Sequence, residues 1–175
     1  MKGRKIPKVI SEEDLIRIAN ATTNLQHKFA FIVAFYQALR VGEVARLTKE
    51  DINISGHIIH IRQSKGSKDR DLTIVKPRLI KLNKYIYGFN KLPIGIGIRA
   101  LQIAFKQKAK DVLNRDLHFH TLRHSGATWL LNKKRWDIRQ LQKFLGHSKL
   151  QTTEIYTHVN VQDLVDLEWG EEDSY

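Results

Sequence analysis

The sequence contains no cysteine among its 175 residues, which excludes disulfides, thiol catalysis and thiolate metal sites. It also lacks a long hydrophobic run: the longest one ends at Tyr36 and is far too short to span a bilayer. The first residues have none of the apolar stretch that a signal peptide requires. We therefore expect a soluble cytoplasmic protein that has no membrane partner.

Acidic residues are few, with 18 Asp and Glu against 30 Lys and Arg, which gives a net charge of +12. Residues 159–175 hold six of the acids and no Lys or Arg, so residues 1–158 carry +18. Such a charge favours a polyanionic partner, nucleic acid first, although a ribosomal or membrane-surface protein would show the same excess. The acidic end is either a frayed terminus or a segment that docks on the basic body of this or a neighbouring chain.

The pattern of apolar residues predicts a mainly α fold with a small three-stranded antiparallel β-sheet, an α+β class. Ser11 and Asp14 resemble a capping box and predict a helix that begins there. Extended runs at 51–54, 57–62 and 71–75, separated by polar turns that contain glycine, predict the sheet. The remaining predicted helices lie at about residues 25–39, 43–47, 78–87, 98–113, 120–131, 137–144, 150–157 and 161–167.

Two segments place cations where an anion could bind. His120 and Arg123 share one face near the start of a predicted helix, where the backbone amides and the helix dipole favour a phosphate. Arg40 follows an apolar helix, with Glu43 three residues later. These two side chains either simply pair with each other, or Glu43 holds the guanidinium so that it can grip two phosphate oxygens.

A third segment, LGH at residues 145–147, contains a predicted helix stop at Gly146 and is followed nine residues after His147 by Tyr156. Taken singly, a tyrosine on a helix is most often a packing residue. The combination is more informative. ALRVGEVARL (38–47), SKGSKDR (64–70), HTLRHSGAT (120–128) and LGHSKLQTTEIYTH (145–158) resemble, in order and spacing, the four signature segments of the tyrosine recombinases, the phage-integrase and Xer-like enzymes.

The resemblance implies site-specific cleavage and rejoining of DNA through a covalent 3′-phosphotyrosine intermediate. Tyr156 matches the nucleophile, and Arg40 and Arg123 match the groups that bind the non-bridging oxygens. His120 matches the proposed general base and His147 a group that contacts the phosphate. Two further matches are Lys65, which corresponds to the general acid that protonates the departing 5′ oxygen, and Glu43, which corresponds to the acidic support behind the first arginine.

Some assignments stay open. Lys68 lies three residues after Lys65 and is an alternative general acid. We expect Lys68 and Arg70 to bind DNA. His124, one helical turn after His120, either makes a structural hydrogen bond or shares the role of His120.

No cofactor or metal is expected. A metal site at His118 and His120 is disfavoured because the motif has no cysteine and no partnering carboxylate, and no nucleotide-binding loop is present. Two other functions remain possible from the sequence: relaxation of supercoiled DNA in the manner of a type IB topoisomerase, and a catalytically idle DNA-binding module.

The resemblance also implies an organisation and a set of partners. We expect a catalytic domain at 1–160 with a short basic N-terminal arm, and an acidic tail or docking helix at 161–175. The N-terminal DNA-clasping domain of related enzymes has no counterpart, which indicates a fragment or a minimal enzyme. The expected partners are double-stranded DNA, from the nucleoid or a host cell, and further copies of the chain, which form a tetrameric synapse on DNA and are compatible with a monomer in solution.

Overall fold

The computed structural model describes residues 7–62, 69–74 and 96–146. The predicted helices at 78–87, 150–157 and 161–167, the basic arm and the acidic tail lie outside these residues. None of the described helices is long and apolar enough to cross a membrane.

The first three helices form one side of the core. Helix α1 (Glu12–Ala21) begins as predicted, with the Ser11 hydroxyl accepting a hydrogen bond from the Asp14 amide at 3.0 Å. Helix α2 (Leu25–Tyr36) is buried at every position from Phe29 onward, as its all-round apolar sequence predicts. Helix α3 (Val41–Arg46) follows after a short turn.

A 3₁₀ turn (Lys49–Asp51) leads into the small sheet. Its strands are β1 (Ile52–Asn53), β2 (Ile58–Ile61) and β3 (Arg70–Thr73), in the order β1-β2-β3, and both pairs are antiparallel. Ile59 lies opposite Ile52 on one side and opposite Leu72 on the other. The predicted three-stranded meander is therefore confirmed, and its buried face packs into the core.

Three further helices complete the described structure: α4 (Ile98–Leu113), α5 (His120–Asn132) and α6 (Ile138–Leu145). Their bounds lie within about a residue of those predicted from the sequence. Phe31 of α2, Phe105 of α4 and Phe119 before α5 meet edge to face, with ring centroids 5.3–6.1 Å apart. This aromatic contact holds α5, which carries the predicted site residues His120, Arg123 and His124, against the centre of the molecule.

Helix α2 ends three residues earlier than predicted, at Tyr36 rather than near Leu39. The cause is Ala38, whose φ of +49° is left-handed and cannot continue a right-handed helix. The chain then turns through Leu39 to Arg40, which is the N-cap residue of α3. The turn brings the Ala38 carbonyl and the Arg40 side chain to the same region of the molecule, where the candidate site lies.

Candidate active site

The centre of the candidate site is the carboxylate of Glu43, of which only 2% is exposed. Three guanidiniums surround it. Its Oε1 lies 3.3 Å from Nη1 of Arg40 and 3.0 Å from Nη1 of Arg70, and its Oε2 lies 3.8 Å from Nη1 of Arg123. We call these four residues the arginine cluster. A buried carboxylate needs such partners, because an unpaired charge inside a protein is costly.

Arg40 is the accessible member of the cluster, with 42% of its side chain exposed. Its backbone amide donates to Oε2 of Glu43 at 2.8 Å, while its guanidinium contacts Oε1. Glu43 therefore caps its own helix and orients Arg40 with the same carboxylate. The sequence left open whether the two residues simply pair or form a phosphate grip. The structure shows the pair, and the exposed guanidinium leaves donors available for a ligand.

Arg123 is almost fully buried, with 1% of its side chain exposed. Nη1 donates to the carbonyl of Ala38 at 2.7 Å, and Nη2 donates to the carbonyl of Leu145 at 3.0 Å. The left-handed turn at Ala38 thus supplies one acceptor, and the last residue of α6 supplies the other. These bonds fix the guanidinium in one geometry.

His120 is the first residue of α5 and lies within the electrostatic influence of the cluster. Although the residue reaches the surface, partial desolvation of its ring lowers its pKa, and the charges of Arg123 and Arg40 lower it further. The ring is therefore neutral at pH 7 and can accept a proton. His124 stands against it edge to face, with ring centroids 4.5 Å apart, a contact that is compatible with both roles left open for His124.

Arg70 is the residue whose position the sequence did not predict. It was expected to bind DNA, but only 14% of its side chain is exposed and its guanidinium turns inward onto Glu43. Strand alternation was the available signal, because Arg70 stands two residues before Leu72 and so shares the buried face of β3. Whether it also contacts DNA stays a prediction.

Four of the predicted site residues, Lys65, Lys68, His147 and Tyr156, lie outside the described residues. The strands that flank residues 63–68 are well anchored. Nδ1 of His60 lies 2.7 Å from Oδ1 of Asp71 across β2 and β3, and this hydrogen bond is the main cause of the raised pKa of His60. Arg62 reaches the buried carboxylate of Asp51 at 2.6 Å. The structure therefore fixes both ends of the segment that contains Lys65.

Among the described residues, no group of three or more His, Asp or Glu side chains could hold a metal ion.

The phage integrase family model matches residues 8–91 and 98–163 of this chain. The chain is 31% identical over 173 residues to tyrosine recombinase XerA of Pyrococcus horikoshii, a match of 92% of this chain and 60% of that protein. It is 32% identical over 174 residues to a tyrosine recombinase of Thermosipho africanus, covering 93% and 61%. The chain thus spans about three fifths of the length of these relatives.

The fold is similar to that in the crystal structure of a XerA recombinase, with a TM-score of 0.73 and 25% sequence identity over 97% of this chain and 68% of that one. This similarity confirms the predicted fold class. Because the family match covers most of the sequence and includes all four motifs, the chain belongs to the phage integrase family.

Proposed function

We propose that this chain cleaves and rejoins double-stranded DNA through a covalent phosphotyrosyl bond at Tyr156. The observation that carries the proposal is the arginine cluster, in which Arg40 and Arg123 are held on one buried carboxylate beside a neutral His120. The four side chains of the cluster carry a formal net charge of +2 in a largely buried setting. An anion that binds there, such as a phosphodiester, offsets the cost of that excess charge.

In the cleavage step, the Tyr156 hydroxyl oxygen attacks phosphorus and the bond between phosphorus and the 5′ oxygen breaks. The tyrosine proton passes to His120, and Lys65 donates a proton to the departing 5′ oxygen. The products are a 3′-phosphotyrosyl ester and a free 5′-hydroxyl. Attack by a 5′-hydroxyl on this ester reverses the step and rejoins a strand. The bond energy is kept in the ester, so the balance needs no nucleotide cofactor.

The arginine cluster supports this chemistry because negative charge develops on the equatorial oxygens of the phosphoryl group. Fixed donors aimed at such charge are worth on the order of 3 kcal/mol each when water is excluded. Glu43 holds these donors in place, because its carboxylate contacts the guanidiniums of both Arg40 and Arg123. A neighbouring base is also needed, because a free phenol has a pKa of about 10 and is mostly protonated at neutral pH. His120 suits that task.

The same proposal includes the partners. The basic body of the chain favours duplex DNA, and the relatives named above are called tyrosine recombinases. Recombination joins two duplexes, so we propose that several copies of the chain assemble on DNA, as a tetrameric synapse, to exchange strands. His147 contacts the scissile phosphate in this scheme, and Lys68 binds DNA near it.

A nicked suicide substrate tests the proposal. Cleavage beside a nick releases a short fragment that diffuses away, so the ester accumulates as a covalent protein-DNA adduct. We expect the wild type to form this adduct on at least one member of a library of duplex sites, and Tyr156→Phe to form none. Tyr36→Phe is the matched control, because it removes a hydroxyl that contacts Glu12 instead of the candidate site.

An adduct that persists in Tyr156→Phe, or no adduct on any site in the wild type, would contradict the proposal. A third outcome is that the adduct forms, but supercoiled DNA of any sequence is relaxed and no recombinant product appears. That result would support cleavage through Tyr156 and contradict strand exchange between duplexes.

A further inference from the structure

We propose that Arg70 is a positioning residue for strand cleavage: it aligns the arginine cluster with the end of α6. The inference rests on the proposed function and deepens it, because it assigns a role in that reaction to a residue expected only to bind DNA. Three contacts made by one guanidinium support it.

The first contact is with the carboxylate of Glu43. Nη1 of Arg70 lies 3.0 Å from Oε1, closer than the 3.3 Å of Arg40 Nη1 to the same oxygen. The two arginines therefore share one acceptor atom. Burial lowers the pKa of Arg70, and Glu43 acts to raise it. Removal of Arg70 leaves Oε1 with Arg40 alone, so the carboxylate that orients Arg40 loses one of its anchors.

The second contact is with the carboxyl end of α6. Nε of Arg70 donates to the carbonyl of Phe144 at 3.3 Å, in the last turn, where carbonyls have no helical partner and the dipole favours a cation. The neighbouring carbonyl of Leu145 accepts from Arg123. Two arginines that both contact Glu43 thus also hold adjacent carbonyls at the end of one helix.

The third contact is with the backbone of Gly146, which ends α6 at a φ of +66°. A Cβ atom at Gly146 would lie 3.3 Å from Cζ and Nε of Arg70, so the guanidinium packs directly against this residue. In the sequence His147 comes next. Arg70 itself begins β3, five positions after Lys65. One side chain therefore anchors the chain at positions close in sequence to Lys65 and His147. The same side chain contacts Glu43, which supports Arg40.

These contacts distinguish positioning from a direct phosphate contact. The Nε and Nη1 atoms of Arg70 both bind protein acceptors, the carbonyl of Phe144 and the carboxylate of Glu43, and its Nη2 atom is buried without an acceptor among the described residues. Loss of a positioning group slows the cleavage of bound DNA. Loss of a phosphate contact instead lowers the affinity for DNA and makes that affinity less dependent on salt.

The test measures two quantities on the suicide substrate: the single-turnover rate of adduct formation at saturating DNA, and the Kd of DNA as a function of salt. For Arg70→Met we expect the rate to fall by about 10²-fold, the loss typical of a displacement of about 1 Å, with Kd within about twofold and an unchanged salt slope. Arg70→Lys keeps a cation near Glu43 but loses the fork that reaches Phe144, so its rate should be intermediate.

The matched control is Arg17→Met, which removes an arginine from the surface of α1. Arg17 is 55% exposed and contacts Asp14 and the carbonyl of Val112, outside the arginine cluster. We expect its rate to match the wild type within about twofold, as for a surface site outside the reaction.

A wild-type rate in Arg70→Met would overturn the inference, as would a Kd that weakens with a salt slope reduced by about one, the signature of a lost phosphate contact. If Arg70→Met does not fold by circular dichroism, Arg70→Lys decides, and a rate equal to that of Arg17→Lys would reject the positioning role. Absence of any adduct in the wild type is a separate result that defeats the proposed function, and the inference with it.

Discussion

Glu43 is a charged residue in a position otherwise typical of the core, with 2% of its side chain exposed and three guanidiniums within 4 Å. A buried pair adds little net stability compared with apolar packing, but removing one partner leaves uncompensated charge. The carboxylate is therefore required because the arginines are present. Arg40 and Arg123, in turn, are explained by the phosphate they are proposed to bind.

Replacing Glu43 by Gln tests this dependence. The substitution keeps the shape of the side chain and removes the charge that offsets Arg40, Arg70 and Arg123. We expect the free energy of unfolding to fall by about 3 kcal/mol or more, measured by urea denaturation. Glu13→Gln, on the exposed face of α1, should change it by no more than about 0.5 kcal/mol. Equal stability of the two variants would show that the cluster does not depend on Glu43.

The lowered pKa of His120 predicts the pH dependence of cleavage. The neutral imidazole is the form that accepts a proton, and desolvation together with Arg123 and Arg40 keeps it neutral below the ordinary value of 6.5. We therefore expect the rate of adduct formation to fall to half of its plateau at a pH below 6.5.

The control for this prediction is His118→Gln, which removes an exposed neighbouring imidazole. The fall in rate at low pH should be unchanged in this variant. A fall in rate with a midpoint at or above pH 6.5, or one that survives unchanged in His120→Gln, would remove His120 from the role of base.

Much of the site could be predicted from local sequence, but not all of it. The pairing of Arg40 with Glu43 follows from their spacing of three on one short helix. The approach of Arg70 to Glu43 does not, because 27 residues separate them and the contact depends on how the sheet packs against α3. The burial of Arg123 could not be predicted from local sequence either, because its acceptors are carbonyls 85 and 22 residues away.

Helices and strands followed the sequence closely where the hydrophobic pattern was strong, as in α4, whose bounds match those predicted. The end of α2 differs because the left-handed turn at Ala38 has no signal in an alanine, a residue that normally favours helix. That turn is stabilised from outside the element, by the Arg123 hydrogen bond to the Ala38 carbonyl. Tertiary contacts therefore decide this boundary.

The contact between α2 and α5 depends on Gly126, which the sequence showed only as part of a motif. A Cβ atom there would lie 1.9 Å from the carbonyl oxygen of Phe35, so Gly126→Ala must push the two helices apart. We expect the free energy of unfolding to fall by about 2 kcal/mol. Gly97→Ala has no atom within 4 Å of the new methyl group and should be nearly neutral. A stable Gly126→Ala variant in a melting experiment would contradict this packing.

The molecule as a whole carries a net charge of +12, and this predicts how it binds DNA. Phosphate contacts release counterions, so affinity should fall by at least about 10²-fold between about 50 and 200 mM salt. Fluorescence anisotropy with labelled duplexes measures the slope, and two unrelated duplex sequences should give similar slopes. Binding that is insensitive to salt would contradict a phosphate-based interface.

Mapping the covalent bond tests the central claim most directly. The adduct trapped on a suicide substrate is digested with nuclease and protease, and mass spectrometry identifies the peptide that carries the residual nucleotide. The account predicts a phosphodiester on Tyr156, with the nucleotide attached through its 3′ oxygen. A nucleotide on any other residue, or attached through its 5′ oxygen, would contradict it.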